Sequence, residues 1–239
     1  MHQTARSAGG HRRRCRFSHL SRRRLHHRPM SHRRRGLVHD MTPAVLWMRH
    51  GTCEDGLCRP GAHARPHSPL TVGGSVEAEF TARQLQDHHW PLAVVVSSPL
   101  RRARQTASIA ASTLGARVIR PLDAFAEWRA PSCVLGRTPS QYPPAYQAWR
   151  QQRGHDLDSA LPGGESLRTF AERASEAARI AHHLSTTHGP ALVVSHRLLI
   201  GAIAALHIGH RNAADIFSLA SEFRLAPAGL WAPNRGVSP

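Results

Sequence analysis

Three apolar runs of four or five residues constrain this chain most: Val45–Met48, Leu92–Val96 and Ala191–Val194. Each is too short for a helix, and none alternates apolar with polar. That pattern suits strands covered on both faces, as in a parallel sheet. The text between them has helical spacing. Residues 71–89 read as a helix with Val76, Phe80, Leu85 and the alanines between them facing inward, ended by Trp90-Pro91. In "SSPLRRARQTASIAASTL", Ser98 reads as an N-cap and Pro99 as the first helical position. Leu100, Ala103, Ala107, Ala110 and Leu114 recur at helical spacing, and Gly115 closes the helix.

A third, short strand is expected over 116–120. Residues 121–163 are rich in Pro, Gly and Trp, show little periodicity, and read as an irregular lid or substrate segment. Residues 164–188 predict a long amphipathic helix, with Leu167, Phe170, Ala174, Ala177, Ala181 and Leu184 on one face. Helices near 197–207 and 212–220 follow, and "EFRLAPAGLWAPNRG" supplies an edge strand. Strands alternating with helices predict an α/β fold, a three-layer α/β/α sandwich around a mostly parallel central sheet. Ligands of such sheets bind at the carboxyl ends of the strands. His50 follows the first run, His196 follows the last, and Arg102 falls in the first turn after the second. All three point to one edge.

Charge separates the chain into two parts. Residues 1–40 hold 12 arginines and one acid, Asp40, whereas residues 41–239 hold 20 arginines against 14 acids. The first part, with triple-arginine clusters at 12–14, 22–24 and 33–35, has too few apolar residues for a core and is expected to be disordered. It reads as a dispensable leader, with translation starting at Met30 or Met41, or as an arm that contacts nucleic acid phosphates. Residues 41–239 fit one domain. No apolar run approaches a bilayer span, so no membrane association is expected. Cys15, Cys53, Cys58 and Cys133 fit no zinc spacing and read as free thiols of a cytoplasmic protein, a Cys53–Cys58 bridge being the lesser alternative. The pairs His88-His89 and His182-His183 point in different directions on their helices, which argues against metal.

Four motifs in order carry more information than any one of them: "RHG" after the first strand, "SSPLRRARQTA" after the second, "PGGES" before the long helix, and "VVSH" at a late strand end. Together they resemble the histidine phosphatase superfamily, the phosphoglycerate mutase-like phosphatases, over roughly residues 43–225. The resemblance implies a nucleophile at His50, a partner at His196, and phosphate-binding arginines at Arg49 and Arg102. Arg102 is preferred over Arg101 because it sits beside Ala103 at the edge of the apolar face, whereas Arg101 turns to solvent. The resemblance also implies a proton donor after the third strand. Glu127 is first choice, Asp123 the fallback and Glu165 a weaker one, although Glu165 also suits the first turn of a helix.

The residue types fit the chemistry. Two guanidiniums and imidazole N–H groups can neutralise a phosphomonoester dianion. A neutral imidazole can attack phosphorus in line, and a carboxylic acid can protonate the leaving alkoxide. Gly51 is expected to let backbone approach the phosphate. No metal or other cofactor is required, because arginine supplies the positive charge. The substrate is expected to be a small phosphorylated metabolite. Two departures stand out. Arg197 follows the late histidine where many relatives have glycine, and adds a candidate phosphate-binding cation. "EWRAPS" replaces the usual text after the acid. The absence of an "ERxYG"-type segment favours hydrolysis; a mutase, or a non-catalytic phospho-ligand module, is the alternative.

Overall fold

The computed structural model describes residues 45–233; the arginine-rich leader, with Cys15, Met30 and Met41, lies outside the described residues. Five strands form one sheet: β1 (Val45–Arg49), β2 (Val94–Ser97), β3 (Arg117–Val118), β4 (Ala191–Ser195) and β5 (Leu230–Trp231), in the order β3-β2-β4-β1-β5. β1, β2, β3 and β4 run parallel, and β5 closes one edge antiparallel to β1. The sheet is therefore mostly parallel, as expected.

Alternate residues of the apolar runs go to opposite faces. Trp47, Val96 and Val193 enter one core with helices α5 (Leu167–His188), α6 (Arg197–His207) and α7 (Ala213–Glu222). Leu46, Met48, Val95, Leu192 and Val194 enter the other with α2 (Val72–Asp87) and α3 (Arg101–Leu114). Helices thus cover both faces, which is why the strands carry no polar side. Gly115 takes a left-handed conformation (φ 65°) and ends α3, where a Cβ would be strained.

Three local expectations are corrected. In α2 the inward face is Gly74, Ala78, Thr81, Ala82 and Leu85, while Val76 and Phe80 are 60% and 61% exposed. Close packing of α2 on α3 selects small side chains at the contact and turns the larger ones out. Residues 121–163 are not wholly irregular. They contain short 3-10 turns and helix α4 (Pro144–Gln152), which buries Tyr146 and Trp149. A one-turn helix, α1 (Glu54–Cys58), follows the RHG segment. Finally, Ser98 does not cap α3: the helix starts at Arg101, and Leu100 holds the N-cap position without a side-chain bond.

Candidate active site

Strand register assembles the site. β1 and β4 pair Arg49 with Ser195, so the next residues, His50 and His196, emerge side by side. Their ring centroids are 5.0 Å apart. β2 pairs Ser97 with Val194, which brings Ser98 beside His196. The first turn of α3 then delivers Arg102. This residue is 3% exposed, whereas Arg101 is exposed, as the wheel argument required.

The tautomer of His50 follows from its contacts. Its Nδ1 lies 2.7 Å from the carbonyl oxygen of Gly51, which can only accept, so Nδ1 carries the proton. The lone pair is on Nε2, and Arg102 Nε–H donates to it at 3.1 Å. Burial first, and the Arg102 charge second, push the His50 pKa well below the ordinary imidazole value. His50 is thus a neutral imidazole with its basic nitrogen toward the guanidinium.

His196 is wholly buried, and its pKa is also well below the ordinary value, from burial and then the Arg102 charge. Its Nε2 lies 2.8 Å from Ser98 Oγ. Ser98 Oγ already accepts from the Leu100 N–H, so its one proton is free for Nε2. If Nε2 donated instead, a hydroxyl proton in a site with no exposure would go unmatched, at a cost of ~1–3 kcal/mol. A proton on Nδ1 leaves that N–H alone unmatched, whereas a proton on Nε2 leaves both the Ser98 hydroxyl proton and the Nδ1 lone pair unmatched, so the His196 proton sits on Nδ1. Among the described residues, two buried side-chain nitrogens lack a partner: His196 Nδ1 and Arg49 Nε. Both belong to this cluster. Arg49 is otherwise anchored by a 2.6 Å bond from Nη1 to the Leu225 carbonyl.

Several residues that sequence reasoning missed hold this arrangement. Thr106, one turn beyond Arg102, donates to the Arg102 carbonyl and accepts the Gly51 N–H at 3.1 Å. Glu77 accepts from both the amide and the hydroxyl of Thr52, each at 2.8 Å. The Arg65 carbonyl accepts from Arg102 Nη1 at 3.1 Å, and the Asp55–Arg65 ion pair stabilises that loop. The one available signal was spacing: Thr106 lies four residues after Arg102.

A cavity of about 630 Å³ opens over these groups, lined by Arg49, His50, Arg102, Glu127, Asp123 and Arg197 among others. Glu127 accepts from the amides of Leu198 and Leu199 at 3.3 and 3.2 Å, which seats its carboxylate at the N-terminus of α6. Two expected site residues, Glu165 and Gly51, are placed otherwise. Glu165 is buried and takes Arg173 through both oxygens, at 2.8 and 2.7 Å, so it braces the 124–127 segment rather than facing the cavity. The Gly51 amide is committed to Thr106, and an added Cβ would lie 2.2 Å from the Gly74 carbonyl oxygen. Glycine is needed there for backbone-to-backbone packing, not for contact with a phosphate. Arg197 lines the cavity, but its Nη1 donates to the carbonyls of Ala220, Ser221 and Phe223 at the end of α7.

Among the described residues no three His, Cys, Asp or Glu side chains converge as a metal site. Cys53, Cys58 and Cys133 are free thiols, and no described helix is long and apolar enough to cross a membrane.

Comparison with known proteins agrees with this geometry. Residues 45–220 match the histidine phosphatase superfamily, branch 1. A Serratia proteamaculans protein named a probable phosphoglycerate mutase is 28% identical over 166 residues, covering 69% of this chain and 74% of that protein. The alpha-ribazole phosphatase from Shigella flexneri superposes with a TM-score of 0.63 at 22% identity, over 79% of this chain and 88% of that one. A mycobacterial glucosyl-3-phosphoglycerate phosphatase solved with VO3 gives 0.62 at 23% identity, over 78% and 88%. The last two establish the fold.

Proposed function

Because the chain belongs to the histidine phosphatase superfamily, we propose that it is a phosphomonoesterase working through a phosphohistidine on His50. The observation that carries this reading is the pair of buried, unpartnered nitrogens, Arg49 Nε and His196 Nδ1, beside an imidazole whose Nε2 is unprotonated. Unmatched buried donors are costly and call for an acceptor. A phosphoryl group has three non-bridging oxygens to offer.

On binding, the Arg102 guanidinium turns from His50 Nε2 to a phosphate oxygen, which frees the lone pair. Nε2 attacks phosphorus in line, and the ester P–O bond breaks. Glu127 gives its proton to the departing alkoxide. Arg49, Arg102 and His196 Nδ1–H stabilise the charge spread over the equatorial oxygens. Water then attacks the phosphohistidine, Glu127 takes its proton, and His50 leaves with its electron pair restored. A positioned acid contributes ~10²–10⁴ to the rate. The guanidiniums supply the positive charge, so turnover is expected to persist in chelator. The proposal extends to a cytoplasmic setting, supported by three free thiols.

The test is phosphate release from a panel of phosphomonoesters by purified protein and by His50→Ala. Equal activity of the two would exclude the His50 mechanism. The Serratia relative's name supplies the alternative, a mutase. It predicts an isomerised phosphate ester and little free phosphate.

A further inference from the structure

The cavity is larger than a phosphoryl group and a three-carbon acid require. At about 630 Å³ it falls within the range of pockets that enclose drug-sized ligands. Beside its charged side chains, the cavity is lined by Ala62, Ala64, Pro66, Leu100, Ala130 and Leu135. The imidazole of His63 completes this wall, stacked on Tyr142 at 5.9 Å and tilted against Trp128 at 5.5 Å. Burial, then the charges of Arg153, Arg150 and Arg197, lower its pKa to about 4, so it is uncharged near neutrality.

The wall does not suit a polyol, whose hydroxyls would lose water and meet mostly carbon.

We propose that the natural leaving group is a bulky, largely apolar alcohol, held by the wall formed by Ala62, Ala64, Leu100, Ala130 and Leu135. This deepens the phosphomonoesterase reading and rests on it. Each methylene buried on such a wall strengthens binding by about fourfold.

Two homologous series test it. The n-alkyl phosphates from ethyl to hexyl hold the leaving group's basicity nearly constant, so kcat/KM reports the wall. The matching n-alkylphosphonates cannot turn over, and their Kd by calorimetry reports the wall without chemistry. A rise in both series of about 10²-fold from ethyl to hexyl is expected, with glycerol 3-phosphate and glucose 6-phosphate below hexyl phosphate. Leu135→Asp should flatten the slope and Leu135→Met should keep it. A flat phosphonate series, or a preference for the polyol phosphates, overturns the inference while leaving the phosphatase reading in place. A rising phosphonate series with no ester hydrolysed keeps the ligand class and removes the hydrolytic reading. Absence of both binding and turnover removes both.

Discussion

Gly51→Ala measures how tightly the RHG segment is held. A Cβ at position 51 would lie 2.2 Å from the Gly74 carbonyl oxygen, where real Cβ atoms stay beyond 3.0 Å. The obstacle is backbone, and the reciprocal contact is as tight: a Cβ on Gly74 would lie 2.0 Å from the Thr52 carbonyl oxygen. The two segments must therefore separate by about 1 Å. Overpacking of this kind costs ~1–3 kcal/mol, or several degrees in Tm. The displaced segment begins next to His50 and carries the carbonyl that fixes its tautomer. A misplacement of ~1 Å at a reacting group costs about 10²-fold in rate. Gly51→Ala is thus expected to lower kcat/KM by about two orders of magnitude, with a modest fall in Tm. Gly51→Ala combined with Gly74→Ala should cost less than the sum, since both open the same contact. Steady-state kinetics with a thermal melt reads both quantities. Wild-type kcat/KM in Gly51→Ala would show that the RHG segment is not held by this contact.

Other outcomes follow from the same geometry. Ser98→Ala should leave His196 Nε2 without a donor, move its proton from Nδ1 to Nε2, and lower kcat by ~10–10²; ring ¹⁵N NMR showing an unchanged tautomer would contradict the assignment. Glu127→Gln should slow alkyl phosphates by ~10²–10⁴, yet spare the first-turnover burst of 4-nitrophenolate from 4-nitrophenyl phosphate, whose leaving group needs no proton. If Asp123→Asn has that signature instead, the acid is Asp123. On titration by NMR, the His50 and His196 rings should stay neutral through pH 6.5, because burial and Arg102 lower both pKa values. The sign for stability follows: the unfolded chain takes up these protons near 6.5 and the folded one does not, so unfolding free energy should fall as pH drops below 6.5. His63, with its pKa lowered to about 4, contributes over the window from 6.5 to 4.

The sheet was legible because its central strands, β1, β2 and β4, are buried on both faces and so read as unbroken apolar runs. His50 and His196 were legible because they stand where such runs end. Arg102 was separable from Arg101 by the phase of one helix. Ser98 was not legible. A serine before a proline reads as a cap, and only the register of β2 on β4 turns its hydroxyl toward His196. Gly74, Glu77 and Thr106 reach Thr52 and Gly51 across long sequence separations, and beyond the four-residue spacing of Thr106 from Arg102 no local pattern encodes these contacts. The face of α2 was misread because hydrophobicity was weighed without distance: close packing on α3 admits alanine and glycine and expels Phe80. Helix α4 was missed because its nine residues are too few to establish a period.

The imidazole of His50 is expected to become covalently phosphorylated during turnover. Rapid quenching of a single turnover with a radiolabelled phosphomonoester, at alkaline pH, followed by peptide mapping, tests it directly. An acid-labile, alkali-stable label is expected on the peptide containing His50, absent from His50→Ala and longer-lived in Glu127→Gln. Turnover with no labelled protein, or a label on another residue, would contradict it.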